Sequence, residues 1–251
     1  MHYPVHFLIG PVDLPAHRLF ELLAFLLGYR LYLWLRKRSS DPISDTHRLW
    51  IFLGAAAGAW LGSHLLGILE RPDRLGQLHW LLLLTDKTIV GGLLGGLLGV
   101  EWTKRRLGVR HSSGDLMSYP ILLGLAVGRI GCHLAGLEDG THGNATALPW
   151  GIDFGDGVAR HPVNLYEILF LCLLACSLYQ LEKRRPLVDG ARFKLLMAGY
   201  LSFRLLIEFW KPVWFFPFGL SSIQMAALAG LLYYRQIFLH PRRLLAASGK
   251  A

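Results

Sequence analysis

The residues of this chain best suited to chemistry are charged side chains inside apolar segments. Arg129 follows the apolar run 119–127, within G-R-I-G-C-H (128–133). A charged side chain in the bilayer core costs roughly 2.5–3.5 kcal/mol on insertion scales, so it persists mainly where it faces a cavity and binds something. Because a guanidinium forms planar, bidentate hydrogen bonds with phosphate, we expect Arg129 to bind a phosphate group. The alternative is that Arg129 pairs with a carboxylate and joins two helices.

Further candidates lie near Arg129 in the sequence. His133 comes four residues later and shares its helix face if the helix continues that far. After a long loop, Pro162 is expected at the first position of the next helix, where its missing N–H costs nothing. The segment R-H-P-V-N-L-Y-E (160–167) then supplies polar groups near the helix start: His161, Asn164, Tyr166 and Glu167. The alternative is a capping and interface cluster without a catalytic role.

A third polar cluster lies near the C-terminus. Tyr200, Arg204 and Glu208 are spaced at i, i+4 and i+8, so they project to one stripe of a helix. Arg204 and Glu208 either neutralise each other, or Glu208 orients Arg204 towards the cavity that Arg129 faces. Glu21 is a further charged residue, within the first apolar run.

The glycine-rich run G-G-L-L-G-G-L-L-G (91–99) has small residues four positions apart. This spacing predicts close helix packing rather than a nucleotide-binding loop. The fingerprints of phosphate-binding loops and dinucleotide-binding folds are absent from the sequence. The three cysteines lack the spacing of a metal site, so we expect neither a metal nor another cofactor.

The composition is typical of a membrane protein. Of the 251 residues, 53% are hydrophobic and 17% are charged, against roughly 25% charged in soluble domains. We therefore predict an all-α polytopic membrane protein with about seven transmembrane helices. It would form a single integral membrane domain, 1–251, with an extracytoplasmic loop at about 136–162. The apolar runs are about 16–35, 48–69, 78–100, 116–135, 163–181, 193–210 and 218–238.

The distribution of lysine and arginine predicts the orientation. Alternate connecting segments (36–48, 101–115, 182–194 and 235–251) carry 17 of the 26 Lys and Arg residues, whereas the intervening segments carry 4. By the positive-inside rule, the N-terminus is outside and the C-terminus is cytoplasmic. The net charge of +9 then reflects topology and attraction to anionic lipid headgroups, and we expect no nucleic-acid partner.

Three segments resemble the prolipoprotein diacylglyceryl transferase family, in this order and spacing and with this topology. They are G-R-I-G-C-H-L-A-G-L-E-D-G (128–140), R-H-P-V-N-L-Y-E (160–167) and Y-L-S-F-R-L-L-I-E-F (200–209). The family signature reads G-R-x-G-N-F-x-N-x-E-x-x-G, and Gly128, Arg129, Gly131 and Gly140 fit it. The resemblance covers roughly residues 87–251.

The chain also departs from the family pattern. Cys132 and Ala135 replace the two asparagines of the signature, and Leu137 replaces its glutamate, with Glu138 one position late. The family histidine before a G-G-L-x-G stretch corresponds to about Leu94, and about Glu21 replaces a tyrosine of the first span. The chain therefore resembles a divergent member that keeps the groups for lipid phosphate and changes those around the acceptor.

The resemblance implies a reaction. The diacylglyceryl group of phosphatidylglycerol passes to a cysteine thiol of a lipoprotein precursor, and glycerol phosphate leaves. Arg129 and Arg204 would stabilise the charge on the leaving phosphate. Because a thiol has an ordinary pKa of roughly 8.5, it needs a base. His161, His133 or Glu21 could supply it. We choose His161, because it lies next to Pro162, where the loop returns to the bilayer, and because its ordinary pKa of roughly 6.5 suits proton removal near neutrality; His133 is second.

The resemblance also implies the setting. The remaining cluster residues (Tyr200, Asn164, Tyr166 and Glu167) would bind substrate together with Glu21, and Glu208 would orient Arg204. The partners are phosphatidylglycerol or a similar anionic phospholipid, a lipoprotein precursor and membrane lipids. The location is the bacterial inner membrane, crossed several times.

Two other functions compete with this one. A divergent paralogue would transfer a phospholipid-derived group to another acceptor, and the missing histidine and asparagines favour this. A transporter or a lipid-binding scaffold would be non-enzymatic, but the inverted repeats common in transporters are not evident in the sequence.

The orientation can be tested with a cysteine at Thr146, in the 136–162 loop. We expect Thr146→Cys to react with a membrane-impermeant thiol reagent in intact cells, because the charge bias places this loop outside. A cysteine at Ser112, in a basic segment, is the control and should react only after lysis. Labelling of Thr146→Cys only after lysis would contradict the orientation.

Overall fold

The computed structural model describes residues 3–70, 72 and 86–246, and most of these residues are helical. The helices described are α1 (Ala16–Arg38), α2 (Asp45–Glu70), α3 (Ile89–Leu107), α4 (Asp115–Ala135), α5 (Val163–Arg184), α6 (Ala191–Ile207), α7 (Ser222–Tyr233) and the short α8 (Gln236–Leu239). Two antiparallel hairpins join β1 (His6–Ile9) to β2 (Val12–Pro15) and β3 (Ile152–Asp153) to β4 (Ala159–Arg160).

These elements form two compact units. The first unit comprises Met1–Ser40, Leu116–Arg185 and Phe209–Pro212, and thus contains both hairpins with α1, α4 and α5. The second comprises Asp41–Asp115, Pro186–Glu208 and Val213–Ala251, and contains α2, α3, α6, α7 and α8.

In the first unit, glycines allow α1 and α4 to approach closely. A Cβ on Gly28 would lie 3.3 Å from the carbonyl oxygen of Pro120. A Cβ on Gly131 would lie 2.8 Å from Phe20 Cβ and 3.2 Å from the carbonyl oxygen of His17, closer than real Cβ contacts allow without a shift. Gly131 therefore fixes the start of α1 against the end of α4, where the polar residues of the first unit lie.

In the second unit, α2 packs on α3 with backbone against backbone. A Cβ on Gly95 would lie 2.2 Å from the carbonyl oxygen of Gly58, and one on Gly58 would lie 2.3 Å from that of Gly95. Two further glycine pairs repeat this contact one turn away on either side: Gly62 with Gly91, and Gly54 with Gly99. The packing interpretation of residues 91–99 is thus confirmed, and α2 contributes a matching glycine series that the sequence analysis overlooked.

The ends of these helices are set by side chains. Thr88 caps α3, since its hydroxyl accepts a hydrogen bond from the N–H of Gly91 at 3.2 Å. In the first turn of α2, the guanidinium of Arg48 donates two hydrogen bonds to the carboxylate of Asp41, at 2.6 and 2.8 Å. It donates a third to the Ser113 carbonyl at 3.1 Å. Arg48 is 3% exposed, so it is a structural arginine with all its bonds inside the second unit.

The helical class predicted from the sequence is confirmed. Among the described helices, three are long and apolar enough to cross a bilayer: Asp45–Glu70, Asp115–Ala135 and Val163–Arg184. The run 78–100 lies partly outside the described residues, and its described helix begins at Ile89. The run 218–238 contains a shorter apolar helix, which ends at Tyr233. The count of seven spans stays a prediction.

Two adjacent glycines of α3 provide a test of the packing. A Cβ on Gly95 meets backbone at 2.2 Å, whereas one on Gly96 has its nearest neighbour at 3.5 Å, an ordinary contact. We expect Gly95→Ala to destabilise the protein by about 1–3 kcal/mol, the usual cost of overpacking. Gly96→Ala is the matched control and should be neutral or stabilising, because alanine favours helix. Thermal unfolding in detergent measures both, and equal melting temperatures for the two variants would contradict the packing.

Candidate active site

The centre of the polar region in the first unit is an ion pair between α4 and α5. Arg129 Nε lies 2.9 Å from Glu167 Oε2, and the two residues are 5% and 3% exposed. The carboxylate-paired alternative from the sequence therefore describes this contact. Arg129 Nη1 also donates to Cys132 Sγ at 3.6 Å. Because a thiol is a weak acceptor, a phosphate oxygen would be a stronger partner for this donor.

A second chain of polar contacts connects α5 to α1. Thr141 Oγ1 lies 3.2 Å from Asn164 Oδ1 and 2.6 Å from Asp139 Oδ2. The other carboxylate oxygen, Asp139 Oδ1, lies 3.6 Å from His17 Nδ1. His17, Cys132 and Asp139 bring one ligand atom each to within 4.8 Å of one another. Arg129 contacts this cluster through Cys132.

His161 is held by aromatic and loop residues. Its Nδ1 lies 3.4 Å from the hydroxyl of Tyr166, which accepts a hydrogen bond from Trp150 Nε1 at 2.7 Å. Its ring also contacts the edge of Trp210, with centroids 6.5 Å apart. Pro162 takes the N-cap position of α5 rather than the first helical position, since the helix begins at Val163. His161 still lies at the helix start, as expected.

His133 lies on the same helix as Arg129, because α4 continues to Ala135. Its Nε2 is 3.4 Å from the Tyr3 hydroxyl, and its ring meets the edges of Tyr3 and Phe154. Burial raises the pKa of the Tyr3 phenol, so Tyr3 stays protonated at neutral pH. Two histidines of the first unit, His161 and His133, thus each lie against a tyrosine hydroxyl.

The loop between α4 and α5 is stiffened by an exposed ion pair. Arg160 donates to both carboxylate oxygens of Asp156, at 2.6 and 2.7 Å. This hydrogen bonding holds the pKa of Asp156 at about 2. Burial, reinforced by the cations Arg160 and Lys211, lowers the pKa of His142, so His142 is neutral at neutral pH.

The remaining predicted residues lie elsewhere. Glu21 is exposed on α1, and the α1 side chain that lies beside Asp139 and Cys132 is His17 instead. In the second unit, Tyr200 and Glu208 are fully buried and Arg204 is 3% exposed. Arg204 Nη2 donates to Glu208 Oε1, the self-neutralising arrangement, although α6 ends at Ile207 and Glu208 begins a 3₁₀ turn. The hypothesis that Arg129 and Arg204 bind the same phosphate is supported by the sequence motifs alone.

Comparison with known proteins decides the family. The family model for prolipoprotein diacylglyceryl transferase matches residues 4–238, nearly the whole chain. The chain belongs to this family. A protein of Pseudoalteromonas atlantica is 31% identical over 222 residues, which cover 83% of this chain and 75% of the relative. Proteins of Dehalococcoides mccartyi and Geobacter sulfurreducens are 28% and 29% identical over 255 residues, 96% of this chain and 94% and 92% of the relatives. All three are named phosphatidylglycerol–prolipoprotein diacylglyceryl transferase.

The structure adds residues that the motifs of this transferase family did not single out here. They are His17, Thr141 and Trp150, together with Asp139, which the signature leaves unspecified. His17 precedes Cys132 by more than one hundred residues, so no local spacing could associate the two. Only Gly131, whose close packing brings His17 to this place, gave a sequence signal.

The role of Arg129 can be separated from its ion pair. Arg129→Lys keeps a cation beside Glu167 but loses the planar fork, so we expect diacylglyceryl transfer to fall by roughly 10²-fold or more, as for a lost transition-state donor. The protein should still accumulate in the membrane. Arg48→Lys is the matched control, since Arg48 is equally buried and carboxylate-paired; it should change stability and not transfer. Full activity of Arg129→Lys would make Arg129 a structural residue only.

Proposed function

We propose that this chain transfers the diacylglyceryl group of phosphatidylglycerol to a cysteine thiol of a lipoprotein precursor, forming a thioether. The observation that carries the proposal is the buried Arg129, paired with Glu167 and positioned by the family motifs of α4 and α5. The names of the relatives supply the donor lipid and the acceptor.

The reaction requires a cationic group for the leaving phosphate and a base for the thiol. The C–O bond to the phosphate breaks, and the leaving glycerol phosphate gathers negative charge, which fixed cationic donors stabilise. Arg129 meets this need in the first unit. Its partner Glu167 compensates the charge of the guanidinium before lipid binds. A bidentate contact with phosphate would then replace the weaker hydrogen bond from Arg129 Nη1 to Cys132 Sγ. Arg204, oriented by Glu208, is assigned the same task from the third motif.

The second need is a base for the thiol. His161 is assigned this role because it lies at the start of α5, where the loop 136–162 ends, with a tyrosine hydroxyl on Nδ1. Nδ1 and Nε2 then differ in environment, which favours one tautomer. Asn164, Tyr166 and Tyr200 would orient the lipid headgroup.

The setting of the reaction is the outer face of a bacterial inner membrane. The proposal keeps about seven spans, with the N-terminus outside and the C-terminus in the cytoplasm, as the lysine and arginine distribution predicts. The acceptor cysteine would then meet the donor lipid at the outer leaflet.

A second candidate shares the donor and changes the acceptor. Cys132, Ala135 and Leu137 replace signature residues of the family, whereas the residues assigned to phosphate binding are retained. This pattern favours a paralogue that transfers the lipid group to an acceptor other than a prolipoprotein.

Complementation tests the proposal and the base together. In cells depleted of their own diacylglyceryl transferase, the chain should restore lipid-modified lipoprotein, detected by mass spectrometry. We expect His161→Gln to slow transfer by roughly 10²–10⁴-fold, the usual range for a lost general base, with lipid binding retained.

His111→Gln is the control, since His111 lies in a basic connecting segment and is exposed. An active His161→Gln with an inactive His133→Gln would move the base to His133. If no thioether forms although the chain is present in the membrane, the proposed acceptor is contradicted. The second candidate, a paralogue with another acceptor, would then be favoured.

A further inference from the structure

One cluster in the first unit has a chemistry that the transfer reaction, as described above, does not use. It comprises His17 at the start of α1, Cys132 on α4 and Asp139 just after α4. Their ligand atoms (an imidazole nitrogen, a thiol sulfur and a carboxylate oxygen) all lie within 4.8 Å of one another, and all three residues are partly buried. Nitrogen, sulfur and carboxylate oxygen are the three ligand types that zinc accepts in proteins.

Cys132 and Asp139 are hydrogen-bonded to each other, whereas the His17 imidazole lies beside them without a hydrogen bond between its Nδ1 and any described residue. His17 Nδ1 is 3.6 Å from Asp139 Oδ1, too long for a hydrogen bond. Two ligands at about 2.0–2.1 Å from a tetrahedral zinc lie roughly 3.3 Å apart. Nδ1 is itself buried and has no hydrogen-bond partner among the described residues.

The surroundings hold two of the three ligands in place. Thr141 Oγ1 lies 2.6 Å from Asp139 Oδ2, which leaves Oδ1 towards His17. The backbone of His17 packs on Gly131, the residue before Cys132. Arg129 Nη1 donates a hydrogen bond to Cys132 Sγ and so orients the thiol. Support of this kind is typical of metal sites.

We propose that His17, Cys132 and Asp139 bind one zinc ion through these atoms, with the fourth position open to the thiol of the acceptor. Three protein ligands with an open position are the arrangement of catalytic rather than structural zinc. The side chains of His17 and Asp139 are 35% and 15% exposed, so the cluster can be reached from outside the unit.

The proposal rests on the proposed function and gives it a way to activate the thiol. A thiol that binds zinc loses its proton, and His161 would accept it. The sulfur then forms a bond to the lipid carbon, while the C–O bond to phosphate breaks and its electron pair leaves with glycerol phosphate. The thiolate is thus stabilised in a chain where Leu94 stands at the position of the family histidine.

Cobalt(II) binding to the purified full-length protein in detergent tests the site, because tetrahedral cobalt with a thiolate ligand has visible bands and a charge-transfer band. We expect one equivalent of cobalt to give both, and zinc to displace it. Cys132→Ser and His17→Gln should lose the charge-transfer band and most of the affinity. Cys172→Ser is the matched control, since Cys172 is exposed and outside the cluster, and should bind as the unaltered protein does.

The open position is tested in the same sample. A short peptide with one cysteine should increase the thiolate-to-cobalt band, and a serine version should not. An unchanged band would overturn the role in thiol binding. A charge-transfer band that persists in Cys132→Ser, or that is absent from the unaltered protein, would overturn the site itself. Thermal unfolding and membrane accumulation of Cys132→Ser and Asp139→Asn exclude misfolding as the cause of lost binding.

Failure of this proposal and failure of the proposed function are distinguishable. If the chain complements but does not bind cobalt, the proposed transferase function stands and the proposed metal site is refuted. If the chain binds cobalt and thiol but does not complement, the proposed metal site stands and the prolipoprotein is refuted as the acceptor.

Discussion

The first unit depends on the need to compensate a guanidinium that is nearly removed from solvent. Arg129 can be buried at the end of α4 only because Glu167 of α5 meets it at 2.9 Å. Removing one member of such a pair typically costs about 3–5 kcal/mol, because the other charge is left uncompensated. The same pair fixes α5 against α4 and thereby the start of α5, where His161, Asn164 and Tyr166 lie. The contact is therefore structural, and the phosphate-binding role proposed for Arg129 would be added to it.

Close packing at glycine supplies the precision that polar residues need. In the first unit, Gly131 brings the backbone of His17 against α4, and His17 reaches Asp139 and Cys132 as a result. In the second unit, glycines on both α2 and α3 let the carbonyl groups of one helix contact the other. Without hydrophobic driving force between helices in lipid, such contacts are a main source of association. Larger residues at these positions would move the helices apart and displace the groups that they carry.

The helices and the main motif residues could be predicted from the sequence because their signals are local. Apolar runs, the spacing of residues 91–99 and the motifs around Arg129 and Arg204 each lie within one segment, and the helical class was confirmed. In the structure Arg204 contacts Glu208 and Arg129 pairs with Glu167, which is one of the alternatives that the sequence left for each arginine. The position of His17 could not be predicted, since it depends on how α1 packs on α4. The sequence instead indicates Glu21, four residues later, as a site residue of the first span, yet Glu21 is exposed.

The central claim is that this chain makes a thioether from phosphatidylglycerol and a cysteine, and one measurement tests it directly. Purified protein is added to phosphatidylglycerol vesicles with a synthetic peptide carrying the acceptor cysteine, and product and released glycerol phosphate are quantified by mass spectrometry. The account predicts a diacylglyceryl-modified peptide and glycerol phosphate in equal amounts, and no product with a serine peptide. Lipid breakdown without modified peptide would contradict it, as would no reaction under conditions where the Geobacter sulfurreducens relative gives product.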